Sequence, residues 1–340
     1  MSLISYFLHT KCTRRTLSVS SIANKTHFKN KNEKIKSTLF LEEGDLRMKY
    51  VVFDIGGTNI KYSLMNKDGE MLDSNLVPTP QQGEGKTLEL LVDIIKNYQL
   101  ENEIDGVAMS VPGGIDDDGY IHFMGSVFDL QDMYLNKYIK KHTGLDCVYD
   151  NDVNCVAMAE KYKGNAMDNK NFVCITIGTG IGGGVFINNQ LYRGHRGMAG
   201  EFGINILEHR KSELQSLNYK TFSRVGSTYN LIDRVNKLKK LNLDGKKVFE
   251  LAESGDLEIQ KEIEEFYFSL AVGIYNIAYS FAPEKILIGG GVSVRSDLIE
   301  NVKRNLELLN PEVLDMVEID VCRFQNDSGK IGALYKYLNR

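Results

Sequence analysis

Residues 49–61, KYVVFDIGGTNIK, decide the fold, because here an apolar run ends in an aspartate and passes directly into glycines. A short apolar run bounded by glycine predicts a buried strand followed by a tight turn. Lys61–Met65 and Glu70–Asp73 flank an Asp-Gly turn and predict the second and third strands, joined as a hairpin. Apolar residues at helical spacing over Thr87–Tyr98 predict an amphipathic helix, and Asp105–Val111 predicts the next buried strand.

The same pattern begins again near residue 171. Phe172–Ile177 predicts a buried strand, Gly178–Gly184 a glycine-rich turn, and Val185–Tyr192 another hairpin. A long helix, a strand and a terminal helix are then predicted at Glu258–Phe281, Lys285–Ile288 and Lys330–Leu338. The repeated order of strand, glycine turn, hairpin and helix predicts an α/β protein built from two similar halves.

Composition and charge limit the class of protein. The 340 residues carry a net charge of −4, with 42% hydrophobic and 25% charged residues, which is typical of a globular protein. No apolar run approaches the ~20 residues of a membrane-spanning helix, and the mild acidity argues against general nucleic-acid binding. Five cysteines without metal-ligand spacing favour buried thiols in a reducing compartment, so we expect a cytoplasmic protein.

The first 47 residues differ from the rest of the chain. Residues 1–41 contain eight Lys and Arg and one acidic residue, so this segment carries +7 and the remainder −11. Such a basic, serine-rich segment fits a transit peptide, a remnant of a DNA-binding arm, or sequence ahead of a true start at Met48. We favour the last interpretation, because a clean strand begins directly after Met48, and we treat residues 1–47 as an extension outside the domains.

Glycine turns follow three of the predicted strands and could contact a nucleotide. Glycine lets backbone N–H groups approach phosphate oxygens closely, which applies to residues 54–58 (DIGGT) and to Gly178–Gly180. The aspartate of the first turn could hold Mg²⁺ directly or through water. Neither turn has the P-loop pattern, and Gly178–Gly183 precedes a strand, which argues against a dinucleotide site. Gly289–Gly291 could flank an adenosine, although each turn read alone also fits a purely structural role.

An acidic cluster, Asp150–Asn154, lies between the halves. Phosphoryl transfer needs positioning, a metal and a base near the attacking hydroxyl, and an aspartate at a strand end can be that base. We therefore expect Asp152 to act as the base and Asn151 to bind a hydroxyl group, although either could simply cap the following helix. Downstream, Glu201 is a candidate acceptor for sugar hydroxyls, whereas a loop or surface role is expected for His195.

Taken in order, these motifs make residues 48–340 similar to sugar kinases of the repressor/open-reading-frame/kinase (ROK) family, within the actin-like, hexokinase-type ATPases. The resemblance rests on five stretches together, Asp54–Lys61, Ser110–Asp116, Asn151–Asn154, Ile177–Gly203 and Ile288–Val292. It implies two ribonuclease H-like α/β domains separated by a cleft. The first would be residues 48–152 with the C-terminal helix (about 322–340), and the second residues 153–321.

The resemblance also implies an ATP-dependent kinase that phosphorylates a sugar hydroxyl, usually the 6-hydroxyl, with Mg²⁺ as the metal and a homodimer as the assembly. Asp152 would deprotonate that hydroxyl. The further residues implied for sugar binding are Gly114, Asn151 and Glu201. Those implied for ATP and Mg²⁺ are Asp54, Gly56, Gly57, Thr58, Lys61, Gly178, Thr179, Gly180, Gly290 and Gly291.

Departures from the family pattern bear on the substrate. Ile204 stands where the family often has a histidine that binds sugar and structural zinc, and Ser223–Tyr229 replaces its cysteine-rich loop, so we expect no structural zinc. The family's Asn-Leu pair near the sugar is replaced within Gly125–Asp129. An apolar wall at Ile204 and Tyr229 would accept a second ring, as in zinc-free β-glucoside kinases. A plain hexose kinase or an N-acetylmannosamine kinase is the alternative.

A protein of a different functional class, a sugar-sensing regulator, is the alternative to a kinase. It would have the same fold but no phosphoryl-transfer activity. Such regulators usually carry a complete DNA-binding domain and can lose the catalytic aspartate. Residues 1–47 are too few for that domain, and Asp152 is present.

Overall fold

Two five-stranded sheets carry the fold in the part of the chain that the structure describes. In this computed structural model, that part is residues 48–81, 83–208 and 220–340, so the extension predicted for residues 1–47 lies outside it. Within the described part, no helix combines the length and the apolar character needed to cross a membrane.

Each sheet joins an antiparallel hairpin to a run of parallel strands. The order in the first is β3 (Asn75–Pro78), β2 (Asn59–Asn66), β1 (Lys49–Ile55), β4 (Gly106–Val111) and β7 (Cys147–Asn151). In the second it is β10 (Gln190–Tyr192), β9 (Ile181–Ile187), β8 (Phe172–Ile177), β13 (Lys285–Gly289) and β14 (Glu318–Val321). Two short pairs form separate two-stranded sheets, β5 (Gly113–Ile115) with β6 (Ile121–Met124) and β11 (Ile206–Glu208) with β12 (Lys220–Thr221). The two orders correspond strand for strand, so the predicted duplication is confirmed.

Helices connect and cover the sheets. They are α1 (Lys86–Glu101), α2 (Leu135–Thr143), α3 (Asp152–Lys163), α4 (Phe222–Gly226), α5 (Thr228–Lys239), α6 (Gly245–Glu253), α7 (Leu257–Phe281), α8 (Leu298–Leu309), α9 (Val313–Met316) and α10 (Ser328–Leu338). Within the long helix α7, a Cβ on Gly273 would lie 2.2 Å from the Phe222 ring. That glycine therefore permits close packing, as its position in an otherwise regular helical pattern predicts.

Helices α3 and α10 join the two sheets into one unit. A single buried cluster contains side chains of both helices and of strands β1 and β8, among them Val52, Ala157, Cys174 and Leu334. The helices cross at Gly332, where an added Cβ would lie 1.7 Å from the carbonyl oxygen of Cys155. This crossing sets where the N-termini of both helices lie.

Two predicted boundaries are wrong. The third strand was expected at Glu70–Asp73 but lies at Asn75–Pro78. The Asp73 carboxylate accepts the Leu64 N–H at 2.6 Å. A side chain therefore binds a backbone N–H group that would otherwise bind the carbonyl group of a paired strand. The glycine turn expected over Gly178–Gly184 also ends early, since its last four residues, from Ile181, already belong to β9.

Candidate active site

The carboxyl ends of three parallel strands bring polar side chains into one row. Asp54 of β1 pairs in register with Ser110 of β4, which pairs with Asp150 of β7. Ligands of open α/β sheets bind at such strand ends. Asn151 and Asp152 come directly after this row, so the candidate site begins at this edge of the first sheet.

A cavity of about 480 Å³ opens beside this edge, and we call it the cleft cavity. It brings together residues that are separated in the sequence by as many as 178 positions, from Pro112 to Gly290. The predicted site residues that line it are Asn151, Asp152, Gly178, Thr179, Gly180, Glu201 and Gly290, with Ile204 at the same wall. Two carboxylates, Asp152 and Glu201, thus lie in one cavity with the turn Gly178–Gly180, and this arrangement can bind a polar ligand.

Asn151 has the capping role that was the alternative to ligand binding. Its side-chain oxygen accepts the N–H groups of Val153 and Asn154, and so caps α3. Its amide nitrogen donates to the carbonyl oxygen of Gly113 at 3.0 Å. One amide hydrogen is left for a ligand, because a carboxamide carries two.

Asp152 occupies the first position of α3 and has the properties of a base. Burial, the negative charge of Asp54 and a smaller contribution from Glu201 raise the pKa of its carboxyl to about 6. The Val153 N–H, which donates to its Oδ1 at 2.9 Å, opposes this shift. A carboxylate with a pKa near 6 is ionised at neutral pH and is a stronger base than an ordinary aspartate.

Asp54 lies at the end of β1 and is only partly buried. Its Oδ1 accepts the Ser110 hydroxyl at 2.9 Å, and its Oδ2 lies 3.4 Å from the Lys61 ammonium. A Cβ on Gly329 would approach its Oδ1 to 2.4 Å, so the N-terminal turn of α10 packs against this carboxylate. The Lys61 ammonium, the Ser110 hydroxyl and the N-terminal turn of α10 therefore surround this carboxylate.

The first glycine turn, with Gly56, Gly57 and Thr58, is largely exposed and does not line the cleft cavity. The Gly56 N–H donates to the carbonyl of Asn59, and a Cβ on Gly57 would lie 2.9 Å from Cβ of Ser126. This turn therefore borders the Asp54 side of the site.

The second glycine turn is held from outside by α5. The Gly178 carbonyl accepts the Thr228 hydroxyl at 2.9 Å and the Tyr229 N–H at 3.2 Å. The glycines that follow serve packing, because a Cβ on Gly184 would lie 2.8 Å from Cβ of Ala157 on α3. The motif therefore faces the cleft cavity as a loop through Gly180 and as strand β9 from Ile181 to Gly183.

Glu201 lies at a close backbone contact. A Cβ on its neighbour Gly200, whose φ is +92°, would lie 2.1 Å from the carbonyl oxygen of Gly183, so only glycine fits. Burial raises the pKa of the half-buried Glu201 carboxyl. His195 is exposed on the same loop, in agreement with its expected surface role.

A second cavity, of about 650 Å³, has a different character, and we call it the apolar cavity. Gly291 lines it, whereas the adjacent Gly290 lines the cleft cavity. Gly290 has a φ of +88°, and a Cβ there would lie 2.2 Å from the Ile177 carbonyl oxygen. The side chains that line the apolar cavity include Thr228, Leu231, Ile232, Phe249, Val292 and Val294. The two cavities thus meet at consecutive glycines.

Two residues expected at the sugar site lie elsewhere. Gly114 is buried beneath the Phe123 ring, where a Cβ would lie 2.0 Å from a ring carbon, and its neighbour Gly113 lines the cleft cavity instead. Tyr229 is exposed but does not line that cavity, where Ser223 lies.

Sequence reasoning missed several residues at the site. Phe123 lines the cleft cavity with 42% of its surface exposed, and the buried Asp150 accepts hydrogen bonds from Arg193 and Lys336. Asp150 stood in the acidic cluster and could have been singled out. Arg193 and Lys336 carry no local signal, because their partner is distant in the chain.

Comparison with known proteins gives consistent results over the described chain. The family model for ROK proteins matches residues 50–339. A β-glucoside kinase of Listeria monocytogenes serovar 1/2a is 32% identical over 296 residues, which cover 86% of this chain and 98% of that protein. A glucokinase of Halalkalibacterium halodurans is 30% identical over 308 residues, which cover 83% and 93%.

A solved structure agrees with these relatives. A ROK family protein of Streptococcus pneumoniae TIGR4, in complex with sucrose, is 30% identical with a TM-score of 0.77. That match covers 86% of this chain and 98% of the other. The similarity therefore extends over nearly the whole length of each protein compared.

Proposed function

The chain belongs to the ROK family and is a sugar kinase of it, and we propose that Asp152 is its catalytic base. In this proposal, the γ-phosphoryl group of ATP is transferred to the 6-hydroxyl of a hexose or a β-glucoside. The observation that carries the proposal is the basic carboxylate of Asp152 beside Glu201 and the turn Gly178–Gly180 in one cleft cavity.

The proposed step is a direct displacement at phosphorus. The sugar hydroxyl donates a hydrogen bond to Asp152, its oxygen forms the new bond to the γ-phosphorus, and the bond to the ADP oxygen breaks. The hydroxyl proton passes to Asp152 and ADP leaves with the bond electrons. Asn151 and Glu201 would orient the sugar, because positioning supplies much of the rate in phosphoryl transfer.

Mg²⁺ fits the acidic side of the cleft. Asp54 is partly exposed, and its charge is a cause of the raised pKa of Asp152, so the two carboxylates create a negative field that a cation would relieve. Mg²⁺ usually takes one or two carboxylates together with substrate phosphates and water. Bound there through Asp54, it would neutralise charge on the transferred phosphoryl group.

ATP is proposed to span the two cavities. The adenosine would occupy the apolar cavity and pass Gly291, while the phosphates would reach Gly290 and the turn Gly178–Gly180. The first glycine turn, Gly56–Thr58, and Lys61 would lie on the phosphate side with Asp54.

We expect Gly291→Val to raise the KM for ATP about tenfold or more, with little change in the KM for sugar. No protein atom lies within 4 Å of a Cβ at this position, so the added side chain enters the apolar cavity without disturbing the fold. Gly125→Val is the comparison variant, because that site is equally open but lines the cleft cavity proposed for the sugar, so it should raise the KM for sugar, which Gly291→Val should not. Equal KM values for ATP in the wild type and Gly291→Val would exclude the adenosine assignment.

The pH dependence follows from the raised pKa of Asp152. The base is active when ionised, so kcat/KM for sugar should fall tenfold for each pH unit below about 6. Asp54→Asn removes a charge that raises this pKa, so the acidic limb should move to lower pH. The ionisation of ATP is common to both enzymes, and because Asp54 is also the proposed Mg²⁺ ligand, the two enzymes are compared by the position of the acidic limb and not by rate. An unmoved limb would contradict the coupling.

The substrate class is proposed from the mouth of the cleft cavity. Ile204 is 63% exposed there and Phe123 lines the same cavity, so an apolar and aromatic surface adjoins Glu201. Such a surface can stack on a sugar ring or an aryl group. We propose a β-glucoside as substrate, with a free hexose or an amino sugar as the alternative.

A coupled assay of ADP release with Mg-ATP tests the function and the substrate together. The acceptors are glucose, cellobiose, gentiobiose, an aryl β-glucoside, fructose, N-acetylmannosamine and N-acetylglucosamine. We expect higher kcat/KM for the β-glucosides than for glucose, and Phe123→Ala should reduce the β-glucoside value about tenfold while changing glucose little. Preference for a free monosaccharide would overturn the substrate class, and no turnover with any sugar would overturn the kinase.

Three further proposals rest on the sequence alone, the homodimer and the two domains on its resemblance to the family and the location on its cysteines. The homodimer is tested by sedimentation, and the cytoplasmic location by fractionation of cells that make the protein. The division into residues 48–152 with the C-terminal helix and residues 153–321 is tested by whether sugar binding changes their separation in solution scattering.

A further inference from the structure

A buried carboxylate lies directly behind the proposed base. Asp150 is 0% exposed and precedes Asp152 by two residues at the end of β7. Its Oδ1 accepts Nη1 of Arg193 at 2.9 Å, its Oδ2 accepts Nη2 of Arg193, and Nζ of Lys336 lies 2.8 Å from Oδ2. Burial would raise the pKa of this carboxyl, but Lys336 and Arg193 lower it to about 2. Asp150 is therefore ionised and held by two cations.

The same carboxylate reaches the segment that carries the base. Its Oδ1 also accepts the backbone N–H of Asn151 at 2.8 Å and the side-chain amide of Asn154 at 3.1 Å. Asn151 in turn caps α3, whose first residue is Asp152. The orientation of Asp150 therefore fixes the backbone from which the Asp152 side chain projects.

Arg193 connects Asp150 to the loop that carries Glu201. It follows β10 directly, and its carbonyl oxygen accepts the Ala199 N–H at 2.9 Å, two residues before Glu201. The guanidinium binds the end of β7 while the backbone of the same residue closes the loop. One residue thus joins the strand that leads to Asp152 with the loop that presents Glu201.

Stability alone does not account for the arrangement. Replacement of buried ion pairs by apolar side chains is often neutral or stabilising, since removing charges from water is costly. Here the buried carboxylate contacts two cations, and one of them, Arg193, also lies 3.9 Å from the exposed carboxylate of Asp117. The bidentate pairing of arginine with a carboxylate adds geometric specificity that a lysine lacks.

We propose that Arg193 and Asp150 are positioning residues that fix the distance between the base Asp152 and the sugar acceptor Glu201. The inference rests on the proposed function of those two residues. Arg193 acts through its partners and does not itself contact the reacting groups. Its loss should therefore impair the alignment of the sugar and leave the nucleotide site unaltered.

The test measures kcat and both KM values for Arg193→Gln and Arg193→Lys, at a temperature where circular dichroism shows each enzyme folded. We expect Arg193→Gln to lower kcat/KM for sugar about a hundredfold with an unchanged KM for ATP. Arg193→Lys, which retains the charge, should recover part of that loss. The matched control is Arg234→Gln, which removes a 2.8 Å ion pair with Glu262 outside the cleft cavity. That control should lower the unfolding temperature and leave sugar kinetics unchanged.

Two results overturn the inference while the kinase assignment stands. One is normal sugar kinetics in folded Arg193→Gln. The other is a parallel loss for sugar and ATP that follows the folded fraction of the enzyme. If the wild-type protein phosphorylates no sugar in the same assay, the proposed function itself fails, and the inference fails with it.

Discussion

Asp152→Asn should lower kcat for phosphoryl transfer by about a thousandfold while sugar binding is largely preserved. The asparagine has nearly the same size and can still accept the Val153 N–H that the carboxylate accepts now. It has no basic oxygen to receive the proton of the sugar hydroxyl. The measurement is turnover by ADP release together with sugar affinity by calorimetry.

The raised pKa of Asp152 predicts how stable the Asp152→Asn variant is, so its folding can be checked by thermal unfolding. A carboxyl whose pKa is raised in the folded state stabilises the fold when protonated, and that contribution is lost as the pH rises through about 6. At pH 8 the ionised Asp152 is therefore unfavourable, and Asp152→Asn should unfold at the same temperature as the wild type or higher. Asp93→Asn, at an exposed position of α1, is the control that removes a charge without effect on kcat. Turnover above about a tenth of wild type in Asp152→Asn would place the base elsewhere.

Gly332→Val should reduce the free energy of unfolding by about 4 kcal/mol or more and leave little soluble protein. The Cβ would lie 1.7 Å from the carbonyl oxygen and 2.7 Å from Cα of Cys155, so backbone atoms of α3 must move. Backbone contacts cannot be relieved by a rotamer change, unlike contacts with a side-chain end. Urea unfolding measures the loss.

Gly245→Val is the matched control for this substitution. It places the same side chain in a helix, at the first residue of α6, where the nearest atom is the flexible end of Ile232 at 3.3 Å. Both variants introduce the same β-branched side chain, whose propensity cost is small beside the expected loss, so a large difference in unfolding midpoint reports the helix crossing. Equal midpoints would show that α3 and α10 separate without cost.

Local patterns were sufficient to predict the duplicated strands, and they also singled out the residue proposed as the base. Residues 49–61 predicted β1 and its turn, since a buried strand and a glycine turn are encoded by adjacent residues. The same holds for Phe172–Ile177 and the turn at Gly178. Asp152 was found because it follows a strand in a short acidic run, whereas the boundary of β3 was missed, since a side-chain contact of Asp73 decides it.

The sequence by itself determined the class of fold and the order of its halves, and it singled out Asp152 as the proposed base, because these depend on neighbours in the chain. Only the tertiary structure decided how the site is held. Arg193 and Lys336 reach Asp150 across 43 and 186 residues, and no local pattern relates them. Gly332 likewise acquires its constraint from a helix far away in sequence. Such contacts arise when burial brings distant charges and backbones together, since a charge without a partner is costly inside a protein.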